Sequence, residues 1–191
     1  MSAENKRINE ERVKKYCKNF TAEEFACGCG GRYCDGHPDT LDGGLLANLQ
    51  RVRDRYGKEI VVTSGLRCQG YNDSLSGSIP TSKHRIGLAV DFYIRGGQSD
   101  SVSGRNAVMA YVRTLPKFNY TYGNTPGMGN AIHMDFANFD EDEDENAPSG
   151  IAVDGVWGVL TTKALQRKLG VSPDGIMGPD TIKALQGWIN R

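Results

Sequence analysis

Ser82–Phe92 reads SKHRIGLAVDF, and it carries His84 and Asp91 seven residues apart in a chain with only three histidines. From Gly87 onward the alternation predicts a strand. Leu88, Val90 and Phe92 fall on one face, with Ala89, Asp91 and Tyr93 on the other. A carboxylate on so apolar a strand is costly unless something pairs with it, and a metal ion is one such partner.

A second stretch, AIHMDF (Ala131–Phe136), repeats the design. Ile132, Met134 and Phe136 share a face suited to a core, while His133 and Asp135 share the opposite one. If both strands lie in one sheet, His84, Asp91 and His133 converge. Two histidines and one aspartate with an open fourth position make a catalytic rather than a structural zinc set. Zinc lowers the pKa of bound water and polarises a carbonyl. A further carboxylate is then needed as general base, and Asp135 is the candidate on the same face. Arg67, in TSGLRC at the end of a predicted strand, suits a substrate carboxylate or a developing oxyanion.

The surrounding sequence supplies the frame. FTAEEF starts with Thr21 and Glu24 at capping-box positions and Phe20 and Phe25 at staple positions, so a helix is expected there. Leu41, Leu45, Leu46, Leu49, Val52 and Tyr56 recur at helical spacing up to Gly57. EIVVTSG predicts a strand, CQGYNDSLSGSIPTSK a polar loop, SGRNAVMAYVRTL a helix stopped at Pro116, and NYTYG a further strand.

The chain has 191 residues and 38% hydrophobic content, with a mean hydropathy of -0.49, enough for one sizeable core and one or two domains. No apolar run approaches the roughly 20 residues of a membrane span, so no membrane insertion is expected. The first 20 residues are charged throughout and lack the apolar core of a secretory signal. The expectation is synthesis in the cytoplasm without a signal peptide. Formal charge is zero, yet Asp140–Glu145 holds six of the 23 acids. The remaining 17 acids face 23 bases, an excess of six positive charges and a mild bias toward anionic partners. Nothing resembles a nucleic-acid-binding module.

Five cysteines, three of them in CGCGGRYC, form an odd count that argues against a secreted disulfide scaffold. Two readings stay open. One is a structural zinc at Cys27, Cys29, Cys34 and Cys68, although C-x-C-x4-C is not a common finger spacing. The other is a disulfide such as Cys34 to Cys68.

FDEDEDENAPSG reads as a solvated acidic linker over residues 139–149, separating a domain of residues 1–138 from one of residues 150–191. The C-terminal part contains a repeat. VDGVWGVLTTKALQRKLG from Val153 aligns with PDGIMGPDTIKALQGWIN from Pro173 at an offset of 20. Each unit predicts a D-G turn and a short helix, capped at Thr161 or at Asp180/Thr181, and two units must stack to bury an apolar face.

SKHRIGLAVDF matches the S-x-H-x-x-G-x-A-x-D signature of the zinc peptidases that include D-Ala-D-Ala carboxypeptidases and L-Ala-D-Glu endopeptidases. EFACGCGGRYCDG, LQRVRDRYGKEIVVTSGLRC, YN and IHMDF resemble the carboxypeptidase branch in the same order, over about residues 18–137. The resemblance implies an α+β fold with a small antiparallel sheet and flanking helices, as in D-Ala-D-Ala carboxypeptidases and hedgehog-like zinc peptidases. It implies one catalytic Zn2+ held by His84, Asp91 and His133. Arg67 would be the positively charged substrate and transition-state residue, with Asn72 of YN and Ser82 of the signature on the substrate side. One position departs: many members carry Glu or Asp three residues before the last histidine, and here that residue is Asn130. Either Asp135 takes the base role or the domain is catalytically weak. The C-terminal repeat is similar to small helical peptidoglycan-binding domains, with Trp157 and Trp188 either stacking on sugars or lying in its core. Together these features imply a monomeric, endolysin-like peptidase of bacterial peptidoglycan, acting at the cell wall after release. The alternatives are a carboxypeptidase that trims terminal D-Ala and a catalytically weak wall-binding protein.

Overall fold

A computed structural model describes residues 2–137, 157, 159–171, 175 and 177–190. The chain divides into two compact units, Met1–Phe139 and Asp140–Arg191. The acidic stretch read as a linker and the Asp154-Gly155 turn lie outside the described residues.

The first unit is built on a four-stranded antiparallel sheet: β1 Ile60–Ser64, β2 Ala89–Ile94, β3 Phe118–Gly123 and β4 Ile132–Phe136, in spatial order β1-β2-β4-β3. The unit is therefore α+β, as the sequence implied. Val90, Phe92, Ile94, Ile132, Met134 and Phe136 are fully buried and cluster with Leu45, Leu46, Leu49 and Val52 of helix α2 (Gly43–Tyr56). Val108 and Val112 of helix α4 (Val102–Val112) join the same core. Each such side chain contributes about 1.5–3 kcal/mol relative to exposure. That anchors one sheet face and leaves the other for polar groups.

Local signals explain most boundaries. Asp42 caps α2 by accepting from the Leu45 N–H at 2.9 Å, and Gly57 closes it in the left-handed conformation at φ 59°. Ser101 caps α4 by accepting from the Gly104 N–H at 3.1 Å. Three readings change. FTAEEF makes only a 3₁₀ turn, Ala22–Phe25. The capping bond from the Thr21 N–H to Glu24 Oε1 (2.9 Å) and the Phe20–Phe25 ring contact (5.8 Å) nevertheless form. The predicted polar loop contains a short helix, α3 (Gln69–Ser74), whose Tyr71 N–H donates to the Cys68 sulfur at 3.4 Å. The strand read from Gly87 starts at Ala89, because Lys83–Ile86 form a 3₁₀ turn that ends on Gly87.

The charged N-terminus forms helix α1 (Ser2–Tyr16). Its apolar anchor is small, Val13 with the adjoining Cys17. Buried Asn9 adds a polar one: its side chain donates to the Asp39 carbonyl at 3.0 Å and accepts from the Leu41 N–H at 2.7 Å. A bonded buried amide of this kind leaves no apolar period to read.

In the second unit, helices α5 (Val159–Leu169) and α6 (Pro179–Ile189) are described. Gln166 ties them together: its Nε2 donates to Thr181 Oγ1 and its Oε1 accepts from the Gly175 N–H, both at 2.8 Å. The caps differ from expectation. Thr161 and Thr181 lie inside the helices, and α6 starts at Gly178 with Pro179 in its first turn, where the ring's fixed φ suits a helix start. Trp157 is 59% and Trp188 53% exposed, so neither is core.

Candidate functional site

One row of residues crosses the sheet. Ser64 on β1 stands opposite Asp91 on β2, Asp91 opposite His133 on β4, and His133 opposite Tyr122 on β3. Antiparallel register places these side chains on the face turned away from the apolar core. His84 reaches the row from the 3₁₀ turn that precedes β2.

His84, Asp91 and His133 offer donor atoms within 4.8 Å of one another. His133 Nδ1 lies 2.7 Å from Asp91 Oδ1, and His84 Nε2 lies 3.3 Å from the same oxygen and 3.3 Å from His133 Nδ1. The outer nitrogens are committed elsewhere. His84 Nδ1 lies 2.7 Å from the Gly65 carbonyl oxygen, which accepts only from an N–H and so leaves the Nε2 lone pair facing Asp91. His133 Nε2 lies 3.0 Å from Asp135 Oδ2, which likewise leaves Nδ1 to face inward. Two neutral imidazoles and one carboxylate, each braced from behind, are a donor set that fits zinc with one position open.

Without a metal, the two histidines shift in opposite directions. Burial pushes Asp91 up, but the close approach of His133 and His84 outweighs it and holds the carboxyl well below the usual range. Burial pulls His84 below the ordinary histidine value, outweighing Asp91. Burial also opposes protonation of His133, yet Asp135 and Asp91 together raise it. Arg67 completes the set: its Nη2 donates to Asp91 Oδ2 at 3.0 Å and its Nε to Ser64 Oγ at 3.0 Å.

Asp135 sits behind His133, not beside the three inward atoms. Its Oδ2 takes the far side of the imidazole and its Oδ1 accepts from Asn119 Nδ2 at 2.5 Å. The residue is 5% exposed. A carboxylate so engaged orients its histidine and is poorly placed to take a proton from water in the open position. The base role expected of Asp135 thus falls on a carboxylate already engaged by His133 and Asn119. Asn130 faces elsewhere, accepting from Arg105 Nη1 at 3.3 Å. Asn72 is 1% exposed and its Nδ2 donates to the Ile79 carbonyl at 3.1 Å, which braces the α3 loop. Ser82 is half-buried immediately before the His84 turn, and its side chain makes no capping bond.

Tyr122 was not singled out by sequence, although NYTYG was read as a strand. Its ring stacks on His133 with centroids 4.6 Å apart and planes at 28°. Burial first, and then the Asp91 charge, raise its hydroxyl pKa, so it remains a neutral donor at ordinary pH. The signal was the alternation that puts Tyr120 and Tyr122 on one face.

None of the five cysteines is in a disulfide, which removes the reading that pairs Cys34 with Cys68. Among the described residues no helix is long and apolar enough to cross a membrane. A family model described as Peptidase M15 matches residues 18–135, more than half of the chain and the whole of the site above. A search of curated proteins returned no match.

Proposed function

This chain belongs to the Peptidase M15 family and is a zinc-dependent metallopeptidase, and we propose that its substrate is bacterial peptidoglycan. The bond cut is a peptide bond of the stem or cross-bridge next to a D-amino acid. The observation that carries the reading is the buried group of His84, Asp91 and His133 with Arg67 bonded to its carboxylate.

His84 Nε2, Asp91 and His133 Nδ1 would hold the zinc, which when bound supplies a Lewis acid and a water of lowered pKa. Gly65 and Asp135 fix the tautomers that make this binding competent. Arg67 is a fixed cation at the rim, bonded on one side to Ser64 and Asp91, and its guanidinium stabilises negative charge that develops on the substrate carbonyl oxygen. Tyr122 offers a neutral hydroxyl on the same face. Ser82, at the entry to the His84 turn, is retained as a substrate contact.

The second unit supports an endolysin-like, wall-acting role. Two exposed indoles, Trp157 and Trp188, on a small helical repeat suit stacking on sugar rings. A tethered binding unit raises the local concentration of substrate without adding contacts at the catalytic site. We assign the peptidase domain to residues 1–138, the linker to 139–149 and the wall-binding unit to 150–191, with the protein acting as a monomer at the cell wall.

A second reading, a wall-binding protein with weak turnover, is favoured by one specific observation: Asn130 bonds Arg105 and Asp135 is committed to His133, so neither is placed as a free base. Incubation of the zinc-loaded full chain with purified walls separates the readings. New amino termini in cross-linked wall support the endopeptidase and release of D-Ala from pentapeptide stems supports the carboxypeptidase. Binding without either product contradicts both and leaves the wall-binding reading.

A further inference from the structure

Cys27, Cys29, Cys34 and Cys68 come together although 41 residues separate the first from the last. Their four sulfurs lie within 4.8 Å of one another, and Cys29 and Cys34 are 3.6 Å apart. A tetrahedral zinc with Zn–S near 2.3 Å requires S···S separations of about 3.8 Å. The cluster is thus at metal spacing and well beyond the roughly 2.05 Å of a disulfide.

Backbone amides reach two of the sulfurs. The Cys68 N–H donates to Cys27 Sγ at 3.3 Å, and the Tyr71 N–H donates to Cys68 Sγ at 3.4 Å. The Cys29 sulfur in turn lies 3.4 Å from the Cys34 carbonyl oxygen. Four sulfurs gathered at such spacing form a soft donor set of the kind that selects zinc.

We propose that these four cysteines hold a second, structural zinc, separate from the His-Asp-His site. It would clamp the Cys27–Cys34 loop to Cys68, the residue bonded directly to Arg67. The same segment is already stitched to the catalytic group: the Leu66 N–H donates to the Phe25 carbonyl at 2.8 Å, the Arg67 N–H donates to the His84 carbonyl at 3.0 Å, and Gly65 holds His84 Nδ1. The second zinc is therefore a positioning element for Arg67 and His84 and takes no part in bond cleavage. Its closed set of four protein ligands leaves no position for substrate.

The test is metal stoichiometry of the purified full chain by elemental analysis, with cobalt substitution as a probe of ligand type. The wild type should hold two equivalents of zinc, and Cys29→Ser with Cys34→Ser should hold one. His84→Ala should also lose one equivalent, yet its cobalt form should keep the intense thiolate-to-cobalt charge-transfer absorption. The cobalt spectrum of the wild type decides the matter even if the cysteine variant does not fold. A wild type that binds one equivalent and shows no thiolate-to-cobalt band would overturn the proposal, as would thiol reactivity that zinc leaves unchanged.

Discussion

Asp91 and His133 face each other across neighbouring antiparallel strands, with His133 Nδ1 2.7 Å from Asp91 Oδ1. The pairing explains why an acid is tolerated at the centre of an apolar strand. It also fixes which nitrogen of His133 faces inward, because Asp135 holds the other at 3.0 Å.

The role of Asp135 follows from that geometry. Asp135→Asn keeps the packing but weakens the acceptor behind His133, so zinc affinity should fall roughly 10–100-fold. Competition against a chelating indicator measures the affinity, and excess zinc should restore much of the activity. A general base behaves differently: its loss costs about 10²–10⁴-fold in kcat with zinc affinity unchanged. That second pattern would return Asp135 to the base role.

Arg67 is predicted to act on the reaction and not on the metal. Arg67→Lys retains a charge but loses the two-sided bonding to Ser64 and Asp91. Activity on a soluble muropeptide should drop about 10²–10³-fold, the loss typical of one oxyanion donor. Zinc content should stay near that of the wild type. A fall in zinc content that accounts for the whole activity loss would reassign Arg67 to holding Asp91.

Gly65 is a packing constraint readable only in three dimensions. A methyl group there would lie 2.6 Å from Phe25 Cα and 2.7 Å from its carbonyl carbon, and backbone cannot yield as a side chain can. Gly65→Ala should destabilise the fold by about 2 kcal/mol or more, seen as a lower Tm, and should perturb His84 through its bond to the Gly65 carbonyl. A Tm equal to that of wild type would contradict the close approach.

Acid stability of the metal-free protein tests the charge balance. Asp91 is held below its ordinary value near 3.8 in the folded state, so the unfolded chain takes up its proton at higher pH than the folded chain does. Its stabilising contribution is complete above that ordinary value and is lost as pH falls through the lowered folded value. His84, lowered by burial, also makes folding less favourable as pH falls below about 6.5. His133 is raised, so its contribution is complete below about 6.5 and is lost as pH rises through the folded value, opposing His84. Urea midpoints from pH 6 to pH 2 should fall less steeply for Asp91→Asn than for wild type, and equal slopes would contradict the assignment.

Much of this arrangement was legible in the sequence because strand alternation is a local property. Val90 and Phe92 against Asp91, and Ile132 and Met134 against His133, announce two strands that are apolar on one face and reactive on the other. The residues behind the site were not legible. That Asp135 braces a ring, Asn72 braces a loop and Tyr122 stacks on His133 depends on register and depth, which no spacing reports. The α1 helix was hidden for a related reason, since its buried Asn9 looks like any surface amide. The four cysteines gave spacing that fits no common finger, and only the approach of Cys68 from a separate segment makes them a group.

The central claim, a zinc site of His84, Asp91 and His133 that cleaves wall peptides, is tested most directly by mass spectrometry of muropeptides after digestion. The zinc-loaded full chain should release fragments cut at a peptide bond beside a D-amino acid, and both a chelator and His133→Ala should abolish them. Undiminished release by His133→Ala, or intact muropeptides after prolonged digestion of several wall types by the wild type, would contradict it.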